Sequence, residues 1–389
     1  MEKTNLLIVH GGAPTAVLNS SLYGAVQEAK KYPQIEHVYG ALGGSLAAAY
    51  GDFIELEKLP EEQLNLLLHS PSSAIGTSRD HLEPEDYDAI AQTVIKHQIG
   101  IVCFNGGNGS MDACGKVYEA CKKLGADIKV VGIPKTMDND LALTDHAPGY
   151  GSAARYMAAS VAEICCDVKG LPIHIVLVEA MGRSAGWVAA ASALAADSGT
   201  GGPDLIYLPE RAFNEKKFLA DVQKLIARKG CGVIVVSEGL HYADGTPIVE
   251  PVLTVGRSVY FGDVCTHLSN LIIKNLGFKT RAEKPGILGR TSIAWQSSTD
   301  REEAELAGRE AVKAAMQGKT GIMIGFKRTD DPKYTIETAS FPIEQVMLTE
   351  KTVPAEFINE EGNGVTPAFI AWCRPLLGEP LPKFISFAK

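Results

Sequence analysis

Short apolar runs, each the length of one β-strand, alternate along this chain with longer stretches of helical period, and no other feature narrows its possible folds so far. Strands are expected at 5–9, 100–104, 129–133, 173–179, 205–208, 232–237 and 321–326, and amphipathic helices at 16–31, 84–97, 111–124, 152–168, 211–228 and 299–316. A strand that reaches the next one through a helix pairs with it in parallel, so the pattern implies an α/β fold of mostly parallel sheet covered by helices. Ligands in such folds gather beyond the carboxyl ends of the strands. At 389 residues and 46% hydrophobic content the chain can bury an ample core, enough for two domains. A boundary is expected near residue 150, giving domains at 1–150 and 151–318 with segments exchanged between them. A composition shift near Lys319 leaves an extension, 319–389, packed on the core.

A formal net charge of −9 argues against nucleic acid or an anionic membrane as partner, since both demand a positive field. Anionic substrates would need local basic pockets. The eight cysteines include no CxxC pair, and Cys165 and Cys166 are adjacent, which suits reduced thiols better than disulfides. No apolar segment approaches the roughly 18 residues of a membrane span, and the opening MEKTNLLIVHGG passes straight into a strand and a glycine turn. The expected setting is the cytoplasm.

Two nucleotide-binding motifs fail on inspection. Gly107, Asn108 and Gly109 begin like a dinucleotide fingerprint, but Asp112 stands where the third glycine is required for close helix packing. Gly318, Lys319 and Thr320 imitate the end of a P-loop, yet Lys313 replaces the leading glycine and the triplet precedes a strand.

Other segments carry chemistry. Gly11 and Gly12 follow the first strand and lead through Pro14 and Thr15 into a helix whose amino end favours an anion; alone, this is equally a plain turn. GGNGS, residues 106–110, removes side chains where a phosphate must approach, and Ser110 is expected to cap the next helix. Asn108 is neutral, so it orients a metal-bound water or a phosphate oxygen without neutralising a cation. PKTMDND, residues 134–140, is the most specific segment. Its Thr136, Asp138 and Asp140, with Lys135 beside them, offer what phosphoryl transfer needs: carboxylates to hold Mg²⁺ and accept a hydroxyl proton, and fixed positive charge. In an extended chain Asp138 and Asp140 share a face, and we assign Asp138 as base, Asp140 as metal holder and Thr136 as donor to the transferring group. EAMGRSAG, residues 179–186, puts Arg183 at a strand end, where its fork can grip phosphate oxygens. Glu238 ends another strand, and Arg281 and Arg290 flank a short apolar segment as candidate anchors for a sugar phosphate.

In this order the motifs resemble the phosphofructokinase family from Asn5 to about Met316, and GGAPTAVLNSS, GGN and GRSAGW set the similarity nearest its pyrophosphate-dependent branch. The resemblance implies two Rossmann-like domains in a homodimer or homotetramer, with the sugar-phosphate site completed across a subunit interface. It implies 6-phosphofructokinase activity: transfer of a phosphoryl group from pyrophosphate or ATP, with Mg²⁺, to O1 of fructose 6-phosphate. Carried over by position, Gly12, Arg79 of GTSR, Gly107, Asn108, Gly109, Ser110 and Lys135 line the donor. Thr136, Asp138, Asp140 and Arg183 serve the transfer, with Mg²⁺ assigned to Asp138, Asp140 and Asn108. Met181, Gly182, Arg183, Glu238, Arg281 and Arg290 match the sugar-phosphate pocket.

Departures from the family pattern bear on both substrates. Asn108 stands where many relatives carry aspartate, His174 where many carry an arginine reaching a neighbouring subunit, and Ile287 where a sugar-binding histidine is frequent. Thr291 and Ser292 replace the usual glycines after the last arginine. In the family a carboxylate at the Gly109 position crowds ATP, whereas a lysine at the Lys135 position accompanies pyrophosphate use. This chain combines glycine with lysine, which leaves the donor open; the neighbouring branch features favour pyrophosphate. A kinase for another sugar or sugar phosphate, and a noncatalytic sensor of the same fold, are the alternatives. Retention of Thr136, Asp138, Asp140 and Arg183 speaks against the sensor, which needs no base.

Overall fold

In the computed structural model, which describes residues 3–255 and 258–388, the strands are β1 (Thr4–His10), β2 (Ile35–Ala41), β3 (Phe53–Glu55), β4 (Ile99–Gly106), β5 (Lys129–Pro134), β6 (Ile175–Ala180), β7 (Leu205–Tyr207), β8 (Gly232–Ser237), β9 (Pro251–Val255), β10 (Ser258–Phe261), β11 (Thr280–Glu283), β12 (Ile322–Arg328) and β13 (Ile336–Pro342). One sheet runs β13-β12-β5-β4-β1-β2-β3 and a second runs β11-β6-β8-β7, with β9 and β10 as a separate antiparallel pair. Within the two larger sheets every pairing is parallel except β2 with β3 and β12 with β13. Parallel strands covered on both faces need continuous apolar sequence, and β1, β4, β5, β6 and β8 are buried almost throughout. Strands β2, β3, β11 and β13, which apolar runs alone do not mark, lie at or next to the sheet margins. There Glu36, Glu55, Arg281 and Glu337 can reach solvent.

The chain forms two compact units, one of residues 1–150 with 298–351 and the other of 151–297 with 352–389. Residues 319–389 are therefore not one extension. Strand β12 pairs with β5 and β13 in the first sheet, because Met323, Ile324 and Phe326 are core residues; the tail stays in the first unit through Lys351, and only 352–389 pack in the second. In the first unit the helices Leu18–Ala29 and Ser298–Met316 meet at backbone distance. A Cβ on Gly308 would lie 2.0 Å from the Ser21 carbonyl oxygen, and one on Gly24 2.0 Å from that of Glu305, so neither position accepts a side chain.

That return segment also closes a buried polar network. His146 Nδ1 lies 2.8 Å from Asp145 Oδ2 and its Nε2 2.6 Å from Glu303 Oε2; the Tyr334 hydroxyl donates to Glu303 Oε1 at 2.6 Å, and Arg328 bonds Asp145 at 3.1 Å. Burial opposes the charged imidazole, but Glu303 and Asp145 outweigh it and push His146 up to about 9. In the second unit, residues after Lys351 supply much of the core: the Trp187 ring packs at a tilt 4.9 Å from Trp372 and 6.4 Å from Phe369, and Arg155 donates to the Leu377 carbonyl at 2.7 Å. All eight cysteines are free thiols, and among the described residues no helix is long and apolar enough to cross a membrane.

Candidate active site

In the first unit β1 and β4 end side by side, His10 in register with Asn105, and the Gly11 amide donates to the Asn105 carbonyl at 3.0 Å. The GTSR segment is tied to this turn: Gly12 N–H donates to Ser78 O at 2.8 Å, and the Thr77 hydroxyl to Gly12 O at 2.8 Å, with Arg79 exposed beyond them. His10 is fully buried with Nδ1 2.8 Å from Ser73 Oγ; burial first, and the Lys135 charge second, hold it down at about 3, so the ring is neutral near pH 7.

Strand β4 passes through Gly107 into the helix Asn108–Lys123, which has no acidic residue in its first turn to compete with an anion at its positive pole. Ser110 does not cap this helix. It is the third helical residue and buried, and a Cβ on Gly106 or Gly11 would fall 2.0 or 2.2 Å from its hydroxyl oxygen, so that oxygen fills the space the two glycines leave. Gly109 is exposed, and a Cβ there would meet nothing within 4 Å.

Lys135 follows β5 and is buried, its Nζ donating to Ala13 O at 2.6 Å. A Cβ on Gly12 would stand 3.5 Å from that ammonium, and one on Gly107 3.9 Å from Thr136 Oγ1. The Thr136 hydroxyl accepts the Asp138 amide at 3.1 Å. The segment is not extended: Asn139 adopts φ 52°, in the left-handed region, so the turn rather than strand alternation sets how Asp138 and Asp140 are presented. Asn108 Nδ2 donates to Asp140 Oδ2 at 3.0 Å and to Asp140 O at 3.3 Å. Both remaining oxygens of this pair, Asn108 Oδ1 and Asp140 Oδ1, are buried without a hydrogen-bond partner. A buried oxygen left so is costly, and two adjacent ones, one from an amide and one from a carboxyl group, fit a hard divalent cation that takes oxygen ligands. Gly12, Gly107, Asn108, Lys135, Thr136, Asp138 and Asp140 are thus gathered at the carboxyl ends of β1, β4 and β5. Arg79 and Gly109 lie exposed beside them.

Two residues that bond this turn have no role read from the sequence, one inside the PKTMDND segment and one far from it. Asn139 is fully buried, and its Oδ1 accepts the Ala147 amide at 3.0 Å; its only sequence signal is that asparagine tolerates the left-handed region. Lys351, distant in sequence, donates from Nζ to Thr144 O and Asp145 O, each at 2.9 Å, and nothing local marks it. Burial holds its ammonium down at about 8 despite the nearby Asp145 and Asp140.

In the second unit Gly182 follows β6 with φ 126°, and its amide donates to Glu238 Oε1 at 3.1 Å, while the Ser237 hydroxyl donates to Gly182 O at 2.5 Å. Met181 is half-buried and Arg183 exposed at this strand end. Glu179 is buried, and burial raises its pKa against the Cys265 amide and Lys284, which bond it at 3.0 and 3.2 Å. Arg290 is half-buried in the short helix Leu288–Thr291, and exposed Ile287 precedes it. Arg281 is not brought beside Gly182. It pairs with Val176 near the amino end of β6, four residues before Ala180, or roughly 13 Å along the strand. There it adjoins His174, which is buried with both ring nitrogens unpartnered; burial, then Arg281 and Lys279, lower the histidine's pKa.

Comparison with known proteins places the chain among relatives. The family model described as phosphofructokinase matches residues 5–315. The pyrophosphate–fructose 6-phosphate 1-phosphotransferase of Rhodospirillum rubrum is 36% identical over 392 residues, covering 98% of this chain and 96% of that protein. The sulfofructose kinase of Alkalicoccus urumqiensis is 30% identical over 376 residues, covering 96% and 95%. The crystal structure of the pyrophosphate-dependent phosphofructokinase from Nitrosospira multiformis superposes with a TM-score of 0.89 at 31% identity, covering 99% of this chain and 95% of that one. The chain belongs to the phosphofructokinase family.

Proposed function

We propose that this protein is a pyrophosphate-dependent 6-phosphofructokinase, transferring a phosphoryl group to O1 of fructose 6-phosphate. The observation that carries this is the Asn108–Asp140 pair, with its two partnerless oxygens beside the glycine turns and the buried Lys135. In this reading the amides of 107–110, Gly12, Arg79 and Lys135 cradle the donor, while Asp140, Asp138 and Asn108 would hold Mg²⁺. Bound there, the ion would neutralise charge on the transferring phosphate. Asp138 accepts the O1 proton as that oxygen attacks the terminal phosphorus and the bond from that phosphorus to the bridging oxygen breaks, releasing phosphate; Thr136 orients the transferring group, and Arg183 offsets developing charge. Glu238, held by the Gly182 amide, takes sugar hydroxyls, and Met181, Gly182 and Arg290 complete the sugar-phosphate contacts. Arg281 sits apart on an edge strand, and we assign it to a pocket completed by a second copy of the chain.

Lys135 favours pyrophosphate as donor, because its fixed charge stands at the turn that would take a short, highly charged donor. A second acceptor reading rests on one relative and on two departures: sulfofructose, favoured by the sulfofructose kinase likeness together with His174 and Ile287. A matrix of pyrophosphate and ATP against fructose 6-phosphate and sulfofructose, at matched concentrations, decides both questions. Higher kcat/KM with pyrophosphate and fructose 6-phosphate is expected. Preference for ATP would reverse the donor, preference for sulfofructose the acceptor, and no turnover in any cell would reduce the protein to a sensor.

A further inference from the structure

The turn that presents Asp138 and Asp140 is held by more than its own neighbours in sequence. Lys351 reaches it from beyond residue 315, where the family match ends, and bonds it with both backbone and side chain. Its amide donates to Asp140 O at 2.8 Å, and Glu350 bridges Leu141, so the strap runs antiparallel to the segment leaving the turn. Its ammonium donates to Thr144 O and Asp145 O at 2.9 Å and contacts Asn139 Oδ1 at 3.4 Å. Asn139, between the two carboxylates, is in the left-handed region, which asparagine tolerates but does not by itself impose. Its side-chain oxygen meets two donors, Lys351 Nζ and the Ala147 amide.

We propose that Lys351 is a positioning residue for phosphoryl transfer: by gripping Asn139 Oδ1 and the Thr144 and Asp145 carbonyls, it fixes the turn from which Asp138 and Asp140 act. This rests on the assignment of those two carboxylates to the reaction. A lysine suits the task because three donors on one compact ammonium meet three separate oxygens. Without it, three acceptors lose a shared donor and Asn139 keeps one anchor instead of two. An error near 1 Å in a reacting group costs on the order of 10²-fold in rate, so the loss belongs in kcat and not in sugar affinity.

The full-length protein carries the test, with pyrophosphate and fructose 6-phosphate as substrates. Lys351→Met should lower kcat about 10- to 100-fold while leaving KM for fructose 6-phosphate within about twofold. Asn139→Gly, which keeps the left-handed turn but removes the gripped oxygen, should do the same and should fold even if Lys351→Met does not. The double variant should be slower than the worse single one by much less than the product of the two effects, because both substitutions loosen the same turn and share the Lys351–Asn139 contact. Glu350→Gln, which touches the turn only through its backbone, should behave as wild type. Wild-type kcat in either folded single variant, a KM rise equal to the kcat loss, or multiplicative effects in the double variant would each overturn the assignment. Asp138→Asn separates this failure from that of the underlying reading. If Asp138→Asn is inactive while Lys351→Met and Asn139→Gly are normal, only the positioning role falls; if Asp138→Asn is active, the reading of the site falls first.

Discussion

Asp138 and Asp140 are separated by one residue, and the backbone of that residue sets how the two side chains are presented. With Asn139 at φ 52°, the carboxylates leave a turn rather than a strand, and Asp140 is committed to Asn108 while Asp138 keeps its amide on Thr136. Replacing Asp138 with asparagine keeps the size of the side chain and removes the proton acceptor. Asp138→Asn should lose about 10²- to 10⁴-fold in kcat with KM for fructose 6-phosphate nearly constant, measured by steady-state kinetics beside an unchanged melting temperature. A kcat close to wild type would strip Asp138 of the role of base.

Among the elements, the helix Ser298–Met316 ties the first unit together, through Gly308 against Ser21 and through Glu303 into the His146 network. The folded protein binds the His146 proton more tightly than an unfolded chain does, since the imidazole titrates at about 9 instead of 6.5. Its contribution to stability is thus complete below about pH 6.5 and disappears as pH rises through about 9, amounting to roughly 3 kcal/mol at most. Lys351 opposes this at higher pH, because a lysine lowered to about 8 becomes easier to bury as it loses its proton. Subtraction separates them. Urea unfolding of wild type and His146→Gln should show a stability gap that is widest near pH 6 and closes near pH 10; a gap independent of pH would mean that His146 is neutral in the fold.

At the scale of the whole molecule, the chain crosses between units more than once, and its last 38 residues belong to the second. Ending the chain after Lys351 would remove Phe357, Phe369 and Trp372 from around Trp187, together with buried Val353, Leu376, Leu377 and Leu381. At about 1.5 to 3 kcal/mol for each fully buried apolar side chain, that loss matches or exceeds the usual 5 to 15 kcal/mol of a domain. The truncated protein should expose residues 151–297 to limited proteolysis and bind a hydrophobic dye; a protease-resistant second unit would contradict this. How far the sequence foretold the molecule follows from the range of the forces involved. Apolar runs and local turn chemistry act between near neighbours, so β1, β4, β5 and β8, the glycine turns and the Thr136–Asp140 segment could be read directly. The mixed margin strands β2 and β11 could not, since exposed and half-buried residues interrupt the apolar run of each. By itself the sequence determined the α/β alternation, the parallel core strands and which loops carry the polar chemistry, because periodicity and side-chain type are local properties. Only the tertiary structure decided that Ser110 packs instead of capping, that Arg281 stands apart from Gly182, that the tail is shared between units and that Lys351 holds the acidic turn. Each of these depends on which distant segments meet, and that is fixed by burial and close packing rather than by any residue's own preference.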